Sequence, residues 1–155
     1  MLKNKFISFL LFGLVTYSAS FIGGLITISL KDPWYSMLIK PSFNPPGWVF
    51  APVWISLYLM MTVAIWLFWH SEKSDTNTVY IYFIHIIFNT TWSIIFFGLH
   101  NIFLALLTLL FLIALIIILI LRFKRVNMLS FYLMIPYLLW CCYALILNIN
   151  LVILN

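Results

Sequence analysis

Residues 102–125, IFLALLTLLFLIALIIILILRFKR, decide the fold: twenty uncharged residues, nearly all Leu, Ile and Phe, stop at three cations in four positions. A helix crossing the hydrocarbon core of a bilayer needs about 20 apolar residues. Lys and Arg gather just beyond the ends of such runs. An outer-membrane strand would alternate over ~10 residues instead, and this run does not alternate. Working outward, a second run covers about 129–153 and a third about 78–99, ending at Gly98-Leu99-His100-Asn101. A fourth covers about 47–69 and stops at His70-Ser71-Glu72-Lys73, and a fifth covers about 6–29, ending at Lys31-Asp32-Pro33. The expected fold is an all-α integral membrane protein, a single bundle of five transmembrane helices with an ordered first loop, forming one domain over 1–155.

Composition agrees. Of 155 residues, 66% are hydrophobic and 7% charged, with mean hydropathy +1.17. Soluble domains carry about 25% charged residues, so a water-facing surface cannot be built, and a soluble enzyme and a disordered chain are both excluded. The net charge of +5 does not mark a nucleic-acid partner, because the cations sit at the ends of apolar runs. Lys3, Lys5, Lys73, Arg122, Lys124 and Arg125 fall on one side of a five-span layout, Lys31 and Lys40 on the other. The positive-inside rule then places the N-terminus in the cytoplasm, and the 31–46 loop and the C-terminus outside. Ser18-Ala19-Ser20 has the small residues of a signal-peptidase site, but apolar character continues to Leu30, so a retained first helix is expected. Cys141 and Cys142 are neighbours inside an apolar run, unable to staple distant elements and wrongly spaced for a metal.

Polar and large aromatic residues concentrate in three spans. His85, Asn89, Trp92, Ser93 and Phe96 recur at three- and four-residue steps and share a helix face. Trp54, Tyr58 and Met61 share another, and Pro136, Trp140, Ala144, Leu147 and Asn148 a third. Unsatisfied polar groups are costly in lipid, so these faces should turn inward. Trp34, Tyr35, Trp48 and Trp69 read as interfacial anchors. On spacing alone, Trp54, Trp92 and Trp140 serve packing as well as they serve ligand stacking. His85 reads first as a hydrogen bond across helices, and as a ligand contact second. Asn89 and Asn148 suit inter-helix bonding at ~0.6 kcal/mol each. Taken together, the three faces describe a flat, aromatic, partly polar cavity. The span at 102–121, with so few polar atoms, is expected to face lipid broadly.

Pro46 suits the first turn of a helix, whereas Pro52 and Pro136 should bend or loosen theirs. The 31–46 loop, the longest and most aromatic connection, is the natural lid. Phosphate-loop, nucleophile-elbow and paired-histidine metal motifs are missing from the sequence. The acids, Asp32, Glu72 and Asp75, all lie in loops, so no intramembrane carboxylate offers proton coupling to a transporter.

Trp34-Tyr35, followed by KPSFNPPGWVFAPVW at 40–54 with Tyr58 and Met61, resembles the first loop and second helix of the translocator-protein family, also called tryptophan-rich sensory proteins or peripheral benzodiazepine receptors. FNTTWSIIFFG at 88–98 and PYLLWCCYALILN at 136–148 are similar to its third and fifth helices. The resemblance implies a five-helix bundle, often a homodimer, in a bacterial cell membrane. It implies a cavity for porphyrins (protoporphyrin IX or haem) or benzodiazepine-like hydrophobic molecules, with no required cofactor and no metal. By motif position the binding residues would be Tyr35, Trp54, Tyr58, Asn89, Trp92, Ser93, Trp140 and Ala144. His85 stands where relatives often carry an amide and would contact a ligand carbonyl or approach haem iron. The activity implied is sensing, with slow light- and oxygen-dependent porphyrin breakdown at Trp54 and Trp140; passive porphyrin transport is the alternative. Three departures stand out. A Tyr-then-basic sterol motif after Asn148 is missing. Tyr80 and Ile84 replace small residues on the third helix. Ser20 and Gly24 on the first helix offer another close-packing face.

Overall fold

The computed structural model describes residues 4–155; Lys3, one of the cations counted above, lies outside them. Five long helices span the molecule: α1 (Lys5–Leu30), α3 (Gly47–Trp69), α4 (Thr76–Ser93), α5 (Ile102–Val126) and α6 (Met128–Leu154). A short helix, α2 (Trp34–Met37), sits in the first loop, and α4 continues into a π-helical turn, Ile94–Gly98. All five long elements, α4 counted together with its π turn, are apolar and long enough to cross a membrane. This is an integral membrane protein.

Short polar side chains explain why such brief loops separate such long helices. Asn4, Asp75, Asn101 and Asn127 each accept a hydrogen bond from a backbone N–H of the first turn that follows, in α1, α4, α5 and α6. A first-turn N–H has no partner within its own helix, so such a cap fixes where the helix starts. Pro46 precedes α3 instead.

The helices close a ring in the order α1, α3, α6, α5, α4, in which α3 and α4 barely meet across the middle. One end of the ring carries Lys5, Lys73, Arg122, Lys124 and Arg125 and is the basic end; the other carries the 31–46 loop and is the lid end. Towards the basic end the interior is solid. Met61, Ile65, Phe68, Tyr82, Leu119, Phe123 and Met134 are fully buried, and the rings of Phe68 and Phe123 lie 5.0 Å apart.

Three expectations need correction. The 102–121 run does not face lipid broadly: α5 buries the largest share of its residues of any span, and α1 the smallest. It stands between α4 and α6, and in lipid the outward and inward faces of a helix can be equally apolar, so hydropathy could not tell them apart. The same helix runs past the expected stop at 121 to Val126, because Phe123 is buried against Phe68 while Lys124 and Arg125 reach outward. Pro136 does not join the inward face of α6. It is exposed, and Tyr137, one residue on, is fully buried in its place. Pro52 is also exposed, and both helices continue through their prolines. The lost backbone bonds therefore fall on the outside.

Candidate functional site

The site is built where α3, α4 and α6 face one another beneath the first loop. Its floor is a buried polar chain. The Tyr58 hydroxyl donates to Asn89 Oδ1 at 2.7 Å, and Asn89 Nδ2 donates to the Tyr137 hydroxyl at 2.9 Å. One amide thus joins three helices, and both of its ends are satisfied. Trp54 lies on this floor, its ring stacked on Tyr58 at 5.3 Å and edge-on to Tyr137 at 6.3 Å.

Nearer the lid, Trp92 Nε1 donates to Asn148 Oδ1 at 3.2 Å, and Asn148 Nδ2 donates to the Ile102 carbonyl at 3.0 Å. The Trp92 ring stacks on Phe96 at 5.0 Å. Trp140 meets Phe50 and Tyr143 at 5.9 and 5.7 Å. Trp54, Trp92, Ser93, Trp140 and Ala144 remain half-buried, while Tyr58, Asn89 and Phe96 are buried. Among the described residues, none of these three indoles is in ring contact with another. Each packs against its own companions. A separate cleft of about 350 Å³ opens nearby, lined by residues including His100, Asn101, Val152 and Asn155.

The lid is strapped down. Tyr143 donates to the Phe43 carbonyl at 2.7 Å, and the Asn155 amide pairs with both backbone groups of Ile39 at 2.9 and 3.1 Å. Trp34 stacks on His100 at 4.5 Å, and His100 bonds the Leu30 carbonyl. Tyr35 packs on Phe96 and Phe97, with the Lys40 ammonium 4.7 Å from its ring centroid. Burial pushes the Tyr35 phenol above its usual range, against the hydrogen bond to Asn44. Tyr35 is therefore a neutral hydroxyl at neutral pH. It belongs to the lid and not to the floor.

His85 sits one turn beneath Asn89, fully buried between the rings of Tyr82 and Tyr137 at 5.0 and 5.6 Å. Its Nδ1 bonds the Tyr82 carbonyl at 2.8 Å. A carbonyl can only accept, so Nδ1 carries the proton and Nε2 presents a lone pair. Nε2 has no partner. In this tautomer His85 can accept a hydrogen bond but cannot donate one to a ligand carbonyl, and the two phenol rings close it off. Among the described residues there is no cluster of His, Cys, Asp or Glu suited to a metal.

Sequence reasoning left Tyr137 and Phe50 out of the site and read Asn148 only as inter-helix bonding. Tyr137 had a signal: it lies three residues before Trp140 and seven before Ala144, the spacing of one helix face. Asn148 stands four after Ala144. The lid contacts of Tyr143 and Asn155 join segments about a hundred residues apart, and no local pattern announces them.

The profile of the TspO/MBR family matches residues 11–154. A tryptophan-rich protein TspO from Chlorobaculum tepidum is 33% identical over 146 residues, covering 89% of this chain and 89% of its own. One from Archaeoglobus fulgidus is 31% identical over 143 residues, covering 92% and 93%. The translocator protein of Homo sapiens is 33% identical over 119 residues, covering 74% and 70%.

Proposed function

This chain belongs to the TspO/MBR family, and from that premise we propose that it is a membrane receptor that binds a porphyrin, such as protoporphyrin IX, or a similarly flat hydrophobic molecule, between α3, α4 and α6. The observation that carries this reading is the half-buried state of Trp54, Trp92 and Trp140 around a floor whose polar groups are already paired. Trp54 and Trp92 each have one face stacked on a neighbour, Tyr58 and Phe96. A flat guest would take the second face, and an aromatic pair is worth ~0.5–1.5 kcal/mol beyond the area it buries. Tyr35 and the lid would cover the guest, and Ser93 and Ala144 leave room at its edge. His85 supports the floor from below and offers only an acceptor.

No required cofactor is assigned; the porphyrin is the ligand. Light-driven breakdown is a secondary activity in this reading. An excited porphyrin with oxygen oxidises nearby indoles or itself, and Trp54 and Trp140 would lie at contact. The solid interior towards the basic end gives passive transport no through-route, which favours a receptor over a facilitator. The charge asymmetry supports a basic end in the cytoplasm with the lid outside. A homodimer would pair through α1, where a Cβ at Gly24 would meet nothing within 4 Å.

Titration of the purified protein with protoporphyrin IX tests the binding. Saturable quenching of tryptophan fluorescence is expected, and its absence overturns the reading. Trp140→Phe should slow light-dependent porphyrin loss while binding persists.

A further inference from the structure

A second cavity lies outside the site just described. It is a groove of about 250 Å³ lined by Leu11, Phe12 and Val15 of α1, Trp69 at the end of α3, and Val79 and Phe83 of α4. Every lining residue is apolar. Leu11 is exposed at its rim, and the flanking Leu10, Leu14, Tyr80 and Ile84 are exposed as well. The groove is therefore on the perimeter of the bundle, at the seam between α1 and α4, where lipid is the surrounding solvent.

Three features identify the occupant. The volume falls below the ~300–1,000 Å³ usual for drug-sized guests, so the groove suits one slender chain and not a macrocycle. Phe12 and Trp69 meet edge-on at 6.4 Å and Phe12 and Phe83 are near-parallel at 6.3 Å, so rings form three of its walls. The loop at 70–75 joins Trp69 to α4 and so lies at the basic-end mouth of the groove. That loop carries Lys73, whose ammonium has no acidic partner among the described residues. Lys5 stands two turns below Phe12 on α1. The acids of this end are Glu72 and Asp75, and Asp75 is engaged by Arg122 at 3.7 Å. Cations thus outnumber free carboxylates at the mouth, and anionic headgroups are drawn to such juxtamembrane clusters.

We propose that this groove binds one acyl chain of an anionic phospholipid from the leaflet at the basic end, with its phosphate held by Lys73 and Lys5. The proposal does not depend on what occupies the porphyrin site.

Native mass spectrometry of the protein released from nanodiscs containing equal phosphatidylglycerol and phosphatidylcholine tests it. One phosphatidylglycerol should be retained at least fivefold over phosphatidylcholine. Val79→Trp fills the groove and should cut retention of both lipids. Leu11→Trp narrows the exposed rim without touching the core and should do the same if Val79→Trp fails to fold. Lys5→Gln with Lys73→Gln should remove the preference and leave residual retention of either lipid. Equal retention of the two lipids by the unaltered protein overturns the proposal. So does retention unchanged by both tryptophan substitutions, or a co-purifying second copy that the same substitutions displace.

Discussion

The two halves of this bundle use aromatic residues in opposite ways. Towards the basic end, Phe68, Phe123 and Tyr82 are fully buried, Phe68 and Phe123 against each other. Towards the lid, Trp54, Trp92 and Trp140 are left half-buried, each held by two neighbouring rings and Trp92 also by its hydrogen bond to Asn148. Helices α3, α4 and α6 contribute to both halves, and α5 adds Leu119 and Phe123 to the first. What differs is side-chain size and polarity: Met61, Ile65 and Met134 fill the first, whereas the small Ser93 and Ala144 line the second. In the reading proposed above, one half provides stability and the other receives the guest.

The largest test of that division is Phe68→Ala. Removing a fully buried ring should cost ~3–5 kcal/mol, seen as a markedly lower melting temperature in detergent. An unshifted melt would mean that the basic half is not the stabilising one. Trp54→Ala and Trp140→Ala should reverse the pattern. The melt should move little, while protoporphyrin affinity falls about tenfold each, the equivalent of ~1.4 kcal/mol. Asn89→Leu lies at the boundary. It breaks two inter-helix bonds worth ~0.6 kcal/mol apiece, so a destabilisation near ~1 kcal/mol should accompany altered porphyrin binding. Tyr143→Phe releases the Phe43 carbonyl and should speed hydrogen exchange at residues 40–46 while leaving α3 and α6 unchanged.

The smallest effect is at Asp75. Desolvation raises this carboxyl, but bonds from the Thr78 hydroxyl and amide, the Arg122 charge and the Asn77 amide together bring it below its ordinary 3.8. Its contribution is therefore present above that value and lost as pH falls through the lower folded one. Acid titration of the melting temperature should show a small drop below pH 3.8 that Asp75→Asn abolishes.

Much of this was legible before any coordinates. Spans, loops and the inward turn of His85, Asn89 and Phe96 follow from runs and periodicity, because a polar group in lipid has only one tolerable direction. The orientation of α5 was not legible, since Leu and Ile satisfy lipid and protein alike. Nor was the exchange of Pro136 for Tyr137. A face drawn through Trp140 and Ala144 accommodates either neighbour, and only the Asn89 amide across the ring decides between them. The latches at Tyr143 and Asn155 depend on where a distant loop comes to rest.

Helix α1 is fastened unevenly along its length. Its polar fastenings to other helices, Ser8 to His70, Trp66 to Lys5, Thr16 to Tyr82 and Tyr17 to Ile55, all lie at or before residue 17. Beyond them α1 leans on Ser93 through Gly23, where a Cβ would come within 3.1 Å of the hydroxyl. The stave is bolted at its foot and merely rests at its shoulder until His100 catches Leu30 at the rim. Were the guest proposed above to arrive already dissolved among the acyl chains, a sideways path past that shoulder, held by apolar packing of Ile26 and Leu30 on Gly98, would spare the roof from rising.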